Sequence, residues 1–250
     1  MSNPVFFSPA GSLDQVEPSG LVTLDGPEAR HAVTVKRLAP GEDVDLVDER
    51  GTRVTGMVES ADGGALVVRC LEISREAAPS PRLVLVQALA KGDRDEQAIE
   101  SATELGIDAV IPWQSDRSIV RWRGDRAAKA LAKWRSVVRA AAKQSRRSRT
   151  PDVEEAVDTT ALARRISQAE AAFVLHEDAV WSLSSRLDGL AAQDGEILLI
   201  VGPEGGISPS EVAAFEAAGA TTALLGPHVL RSSSAGPAAL VVANTVLGRW

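Results

Sequence analysis

Up to about residue 75, short runs in which apolar and polar positions alternate, at 21–24, 43–47, 53–58 and 65–71, are separated by Gly and Asp and predict the strands of a small barrel or sandwich. One helical interruption fits 28–38, where His31, Val35 and Leu38 share a face. Residues 74–81 are polar, hold two prolines and lack periodicity, which predicts an interdomain linker. Beyond Arg82 the pattern changes. Continuous apolar runs at 83–89, 109–112, 172–176, 196–201 and 221–225 alternate with longer amphipathic stretches, as in a mostly parallel sheet covered on both faces. The clearest short helix spans 93–105: Asp93 and Glu96 have capping-box spacing, Ala98, Ile99, Ala102 and Leu105 form a stripe, and Gly106 ends it. The chain therefore divides into a β-rich domain of residues 1–75 and an α/β domain of residues 76–250.

Composition narrows the class. With 44% hydrophobic and 24% charged residues the 250-residue chain can bury a core, and its apolar runs are too short to cross a bilayer. The start, MSNPVFFSPA, lacks a basic region followed by an apolar one, so no secretory signal is expected. A lone cysteine, Cys70, excludes an internal disulfide and fits the cytoplasm; it sits in an alternating strand pattern and reads as core. Three histidines and one cysteine without close ligand spacing predict no metal.

The net charge of −7 conceals a segregation. Residues 117–149 carry twelve Lys or Arg and one acid, Asp125, a local charge of +11 that leaves −18 elsewhere. A helix over 125–147 would place Leu131, Trp134, Val138 and Ala142 on one face and Arg135, Arg139, Lys143 and Arg147 in an i, i+4 row on another. With almost no acids inside the row, a polyanion such as RNA or DNA is the expected counter-charge; an ordinary solvated helix face is the alternative.

Two glycine-bearing turns follow buried strands. In 197–211 a strand runs into Gly202-Pro-Glu-Gly-Gly206, after which Ser208, Pro209 and Glu211 have the spacing of a capped helix start. Such a turn lets backbone amides approach a ligand at the carboxyl edge of the sheet, but no lysine follows the glycines as in a P-loop and Glu204 would repel phosphate, so phosphate cradling is disfavoured; a plain strand-to-helix turn is the alternative. In 224–235, Gly226, Pro227 and Ser232–Ser234 lead to an apolar C-terminal helix over 238–247. No GxSxG elbow accompanies the serines, and helix capping is their simpler role.

The motifs Gln87-Ala-Leu-Ala-Lys-Gly-Asp-Arg94, Ala102-Thr-Glu-Leu-Gly106, Arg117-Ser-Ile-Val120, Ala140-Ala-Ala-Lys-Gln-Ser145, Val201-Gly-Pro-Glu-Gly-Gly-Ile-Ser208 and Leu225-Gly-Pro-His-Val-Leu-Arg231 occur in that order. Together they resemble the RsmE family of 16S ribosomal RNA (uracil-N3)-methyltransferases of the SPOUT superfamily, and 31–37 and 41–51 resemble that family's PUA-like domain. The resemblance implies a smaller N-terminal PUA-like β-barrel, a C-terminal α/β SPOUT-type domain with a trefoil knot, a homodimer, and S-adenosyl-L-methionine as cofactor. It carries cofactor contacts to Leu175, His176 and Glu177, to Gly202, Pro203, Glu204 and Gly205, and to Leu225, Gly226, Val229, Leu230, Arg231 and Ser232.

The implied reaction is S-adenosylmethionine-dependent methylation of uridine N3 in small-subunit rRNA, on the assembled 30S subunit. For catalysis, Arg231 is expected to stabilise charge on a uracil carbonyl, with Glu204 or a hydroxyl of Ser232–Ser234 assisting proton removal. A structural clamp is the other role open to Arg231. Phosphate contacts are expected from Arg117, Arg121, Arg139, Lys143, Arg146 and Arg147, with His31, Lys36 and Arg37 from the N-terminal domain. Two departures stand out: His228 and Ser232–Ser234 replace the family's arginine and Thr-Glu-Thr, and Asp48-Glu-Arg-Gly51 replaces Asp-Gly-x-Gly. The missing acid puts any acid/base role of that triplet in doubt. A methyltransferase acting on another RNA, and a non-catalytic RNA-binding or ribosome-assembly module, remain as alternatives.

Overall fold

A computed structural model describes residues 3–191 and 193–250. The chain forms two compact units, one of residues up to Ala78 together with Ala142–Thr150, the other of Pro79–Ala141 with Pro151–Trp250.

In the first unit, strands β1 (Val5–Phe7), β2 (Leu21–Leu24), β3 (Asp43–Val47), β4 (Thr52–Asp62) and β5 (Ala65–Arg75) form one sheet in the order β1-β3-β4-β5-β2. Only the β1–β3 pair is parallel. The β4–β5 ladder is interrupted at Thr55/Gly56 and Val58/Ser60, and such interruptions bend a sheet on itself. A side chain at Gly56 would meet the Arg69 carbonyl and Val68 at 2.5 Å, so the bend needs glycine there. Alternate positions point inward, and Phe6, Leu24, Val44, Leu46, Val54, Leu66, Val68 and Cys70 make the core. Burial pushes the Cys70 thiol up and keeps it protonated. Helix α1 (Gly26–Arg30) continues as a π turn over His31–Val35. It ends short of the expected Leu38 because Arg37 adopts a left-handed conformation. β5 extends to Arg75, so strand pairing occupies the first two residues of the expected linker.

The second unit is a parallel sheet of β6 (Arg82–Ala88), β7 (Ala109–Gln114), β8 (Asp152–Val153), β9 (Val157–Asp158), β10 (Ala171–Leu175), β11 (Glu196–Val201) and β12 (Thr221–Ala223). Its order is β12-β10-β11-β6-β7-β8, with β9 also on β7. Both faces of each central strand are apolar. On one side Leu83, Leu85, Ile197 and Leu199 meet α2 (Arg94–Glu104), α3 (Asp125–Gln144), α5 (Leu183–Leu187) and α7 (Ser232–Val246). On the other, Val84, Val86, Leu198 and Ile200 meet α4 (Thr159–Ile166) and α6 (Pro209–Ala217).

Three helix boundaries differ from expectation. Asp93 is left-handed and makes no side-chain cap on α2; Glu96 instead pairs with Lys133 at 2.6 Å, while Asp95 accepts the Ala90 and Glu96 amides. Helix α3 stops at Gln144, and Arg146 turns left-handed beyond it. Helix α7 begins at Ser232, six residues before the expected start, with Gly236 and Pro237 inside it. These two read as breakers in sequence, yet Gly236 brings the helix onto β6: a Cβ there would lie 2.9 Å from Leu85 Cδ1. The first serines of α7 are thus helical residues, and Arg231 holds the cap position.

Candidate active site

Because every strand of the second sheet is parallel, the loops after β6, β10, β11 and β12 gather at its carboxyl edge, where ligands of open α/β sheets bind. Three of them line a cavity of about 770 Å³ that holds Leu175, His176 and Glu177, the turn Gly202–Gly205, and Val229–Ser232. An adjoining cavity adds Leu225 and Gly226. All thirteen expected cofactor positions are therefore brought together. Arg94, Arg117 and Ile207 are among further lining residues not expected as cofactor contacts.

The turn after β11 is held from several sides. A Cβ on Gly202 would fall 2.6 Å from Ile207 Cγ1, and Gly206 has φ +73°, so glycine is required at both. Ser208 and Glu211 close the capping box of α6, the Ser208 Oγ accepting the Glu211 amide at 3.2 Å and Glu211 Oε2 accepting the Ser208 amide at 3.0 Å. Glu211 is 1% exposed. Its other oxygen accepts the Asp116 amide and the Thr159 hydroxyl, each at 2.8 Å, which anchors the loop carrying Arg117. Arg117 Nη1 in turn donates to the Gly205 carbonyl at 3.0 Å.

Glu204 Oε1 accepts from Arg94 Nη1 at 2.6 Å and from the Lys91 amide at 3.3 Å. Burial opposes its charge, but hydrogen bonds from its own amide, Arg94 and Lys91 outweigh that and hold the carboxyl below its ordinary range. The Glu204 carboxylate is thus engaged by two donors from the segment after β6.

Arg231 differs: its guanidinium is exposed and makes no hydrogen bond or ion pair among the described residues. His176 Nδ1 accepts the Asp178 amide at 3.2 Å, so any proton on the neutral ring sits on Nε2. In the loop before α7 the amides of Leu225, Gly226 and His228–Arg231 reach no protein acceptor among the described residues. Free backbone donors beside the apolar side chains of Leu175, Ile207, Val229, Leu230 and Ala235 suit a flat, neutral heterocycle, and Glu177 can accept hydroxyl donors. An adenosine fits this donor set.

The basic row is less uniform than the sequence suggests. Arg135 pairs with Glu155 at 3.1 Å. Lys143 is bonded to Glu28 at 2.6 Å and stands 5.1 Å from the Phe6 ring centre, so this expected phosphate contact is already held by a carboxylate and a ring. His31 lies half-buried, edge-on to Phe6. Lys36, Arg37, Arg117, Arg121, Arg139 and Arg146 are exposed, and Arg147 is half-buried. Among the described residues no group of three or more His, Cys, Asp or Glu could hold a metal, and no helix is long and apolar enough to cross a membrane.

A parallel sheet with a cavity built from glycine turns at its carboxyl edge, preceded in the chain by a small bent sheet, is the architecture of an RNA methyltransferase with a PUA domain. Residues 77–244 match the family model of an RNA methyltransferase domain, and 24–70 that of an RNA methyltransferase PUA domain. A ribosomal RNA small subunit methyltransferase E from Mycobacterium bovis is 43% identical over 95% of this chain and 92% of its own. That of Bacillus subtilis is 28% identical over 88% of each. The solved Neisseria gonorrhoeae enzyme of that name, bound to S-adenosyl methionine, superposes with a TM-score of 0.82 at 27% identity, covering 98% of both chains. The chain belongs to the ribosomal RNA small subunit methyltransferase E family.

Proposed function

We propose that this protein transfers a methyl group from S-adenosylmethionine to N3 of one uridine in small-subunit ribosomal RNA, acting as a cytoplasmic homodimer on the assembled 30S subunit. The observation that carries the reading is the cavity at the carboxyl edge, where unpaired amides of residues 225–231 and apolar walls meet an unpartnered arginine. The names of the relatives above and the bound molecule of the Neisseria enzyme support it.

When bound, S-adenosylmethionine supplies an electrophilic methyl group on a sulfonium. The loop 225–231 would hold its adenine ring by backbone donors, with Leu175 and Leu230 against the ring and Glu177 on the ribose hydroxyls. Uracil N3 bears a proton at neutral pH, so transfer requires that this proton leave and that the imide charge be stabilised. Glu204 is tied to Arg94, and we assign the proton to solvent at the open cavity mouth and the charge to Arg231. The target base must be unpaired to present N3. Exposed Lys36, Arg37, Arg117, Arg121, Arg139 and Arg146, with His31 and Arg147, supply phosphate contacts.

The test is transfer from labelled S-adenosylmethionine to 30S subunits lacking uridine N3-methylation, and to their protein-free RNA, with the modified base mapped. Label at one uridine N3 in the particle is the expected result. Cofactor binding without transfer to either acceptor would favour a non-catalytic module or another RNA.

A further inference from the structure

Gln87 is the one polar residue between Leu83 and Ala90, in the central strand β6, and is wholly buried. A buried amide in a core strand is costly unless its hydrogen bonds are made. Its Nε2 faces two acceptors, the Ala88 carbonyl at 3.3 Å and Ser232 Oγ at 3.0 Å, while its Oε1 has no partner among the described residues. That orientation makes Gln87 the donor and Ser232 the acceptor. Ser232 is 8% exposed, lines the cavity and follows Arg231 in the chain. Its own hydroxyl proton, which Gln87 cannot accept through Nε2, has no acceptor among the described residues.

The pairing is built by register. Leu85 and Gln87 lie on one face of β6, Ser232 and Gly236 on one face of α7, and Gly236 lets the helix settle on Leu85 so that Ser232 reaches Gln87.

We propose that Gln87 is a positioning residue for methyl transfer: by donating to Ser232 Oγ it turns the Ser232 hydroxyl into a hydrogen-bond donor aimed into the cavity, toward a uracil carbonyl oxygen that gains negative charge as N3–H is lost. This rests on the functional reading above. It also reverses the role expected of the serine. A hydroxyl oxygen that already receives the Gln87 amide is a poor proton acceptor, whereas its free proton joins the Arg231 guanidinium as a second donor. Donors fixed before charge develops are the form of stabilisation that lowers a barrier. The Ser232 hydrogen remains on its oxygen throughout, and no bond to it forms or breaks.

The test compares wild type with Gln87→Glu, Gln87→Met and Ser232→Ala in methyl transfer to the 30S acceptor. Methionine at 87 keeps the volume and removes both polar atoms; a glutamate buried there is either an ionised acceptor or a protonated donor, and destabilises the strand in the first case. Gln87→Met and Ser232→Ala should each lower kcat at least tenfold, a larger change than any in cofactor Kd, with melting temperature close to wild type; Gln87→Glu should lower melting temperature as well. The rate of Gln87→Met should climb more steeply with pH, since alkali ionises N3 without help. Gln87→Met combined with Ser232→Ala should lose no more than either alone, the mark of residues acting as a unit. Unchanged kcat in Gln87→Met, additive losses, or a loss confined to cofactor Kd would each overturn the proposal. If wild type methylates no uridine N3, the functional reading falls and this proposal with it; if it does and Gln87→Met equals it, only this proposal falls.

Discussion

Arg94 Nη1 donates to Glu204 Oε1 at 2.6 Å and so ties the loop after β6 to the glycine turn after β11. The pair closes one side of the ligand cavity, and Lys91 adds its amide to the same oxygen. Either Arg94→Ala or Glu204→Gln should loosen the turn and weaken S-adenosylmethionine binding about tenfold, read by calorimetric titration. Exposed pairs of this kind contribute only about 0.2–1 kcal/mol to folding. Because the Glu204 pKa is depressed in the folded state, its stabilisation is present above the unfolded value of about 4.3 and is lost as pH falls through the folded value. The melting difference between wild type and Glu204→Gln should therefore vanish in acid.

Asp95 follows the opposite sign. Burial outweighs the bonds it receives from the Ala90 and Glu96 amides and raises its pKa. The folded state then binds the proton more tightly than the unfolded chain, so stability is lost as pH rises through the folded pKa. Asp95→Asn removes the charge and keeps one acceptor oxygen, for the shorter bond from the Glu96 amide at 2.9 Å, while the Ala90 amide, at 3.4 Å from the other oxygen, loses its acceptor. The difference in melting temperature between Asp95→Asn and wild type should shift in favour of the variant as pH rises from about 4 to 8.

Glu211 receives the Ser208 and Asp116 amides and the Thr159 hydroxyl while 1% exposed. Glu211→Ala leaves these donors unmatched, the Ser208 amide among them buried, a loss of roughly 1–3 kcal/mol in chemical denaturation. Cofactor affinity should fall as well, since the Asp116 loop carries the Arg117 that donates to Gly205.

Gly236→Ala places a methyl 2.9 Å from Leu85 Cδ1. Overpacking of this sort costs about 1–3 kcal/mol, and it should lift Ser232 from Gln87. Thermal melting and kcat should both drop, and Leu85→Ala in the same chain should restore part of each.

Lys143 and Arg146 are neighbours in sequence with different tasks. Arg146→Ala should flatten the dependence of log K for RNA on log salt by somewhat under 1, as the loss of one phosphate contact does. Lys143→Ala removes the partner of Glu28 and a cation beside Phe6, and should lower melting temperature while leaving the salt slope in place.

Most elements of the fold were legible because their apolar patterns are long: the central strands of the parallel sheet, the stripe of α2 and the capped start of α6 stand where periodicity puts them. The pairs β8 and β9, two residues each, are too short to show alternation. Helix α7 starts six residues before the apolar run that marks it, because its first turns are serines with Gly236 and Pro237 behind them, and the proximity of Leu85 explains the glycine. The glycine turns and the motif resemblance both pointed to loops that line the cavity at the carboxyl edge. The ion partners Glu28, Glu155 and Arg94 lie far along the chain from Lys143, Arg135 and Glu204, beyond the reach of local spacing. Gln87 did leave a signal, a lone amide in an apolar strand.

The N-terminal unit is not continuous in sequence. Residues Ala142–Thr150 belong to it, and Ala142 is buried with Val5, Phe7 and Val47, while Arg53 bonds the Arg146 carbonyl and Ser148. A fragment cut anywhere in the stretch after β5 would lack one wall of its own small core and leave those three side chains bare. Poor RNA binding by such a fragment would then report a wounded fold. To ask what this unit contributes, its surface must be altered residue by residue in the full-length chain.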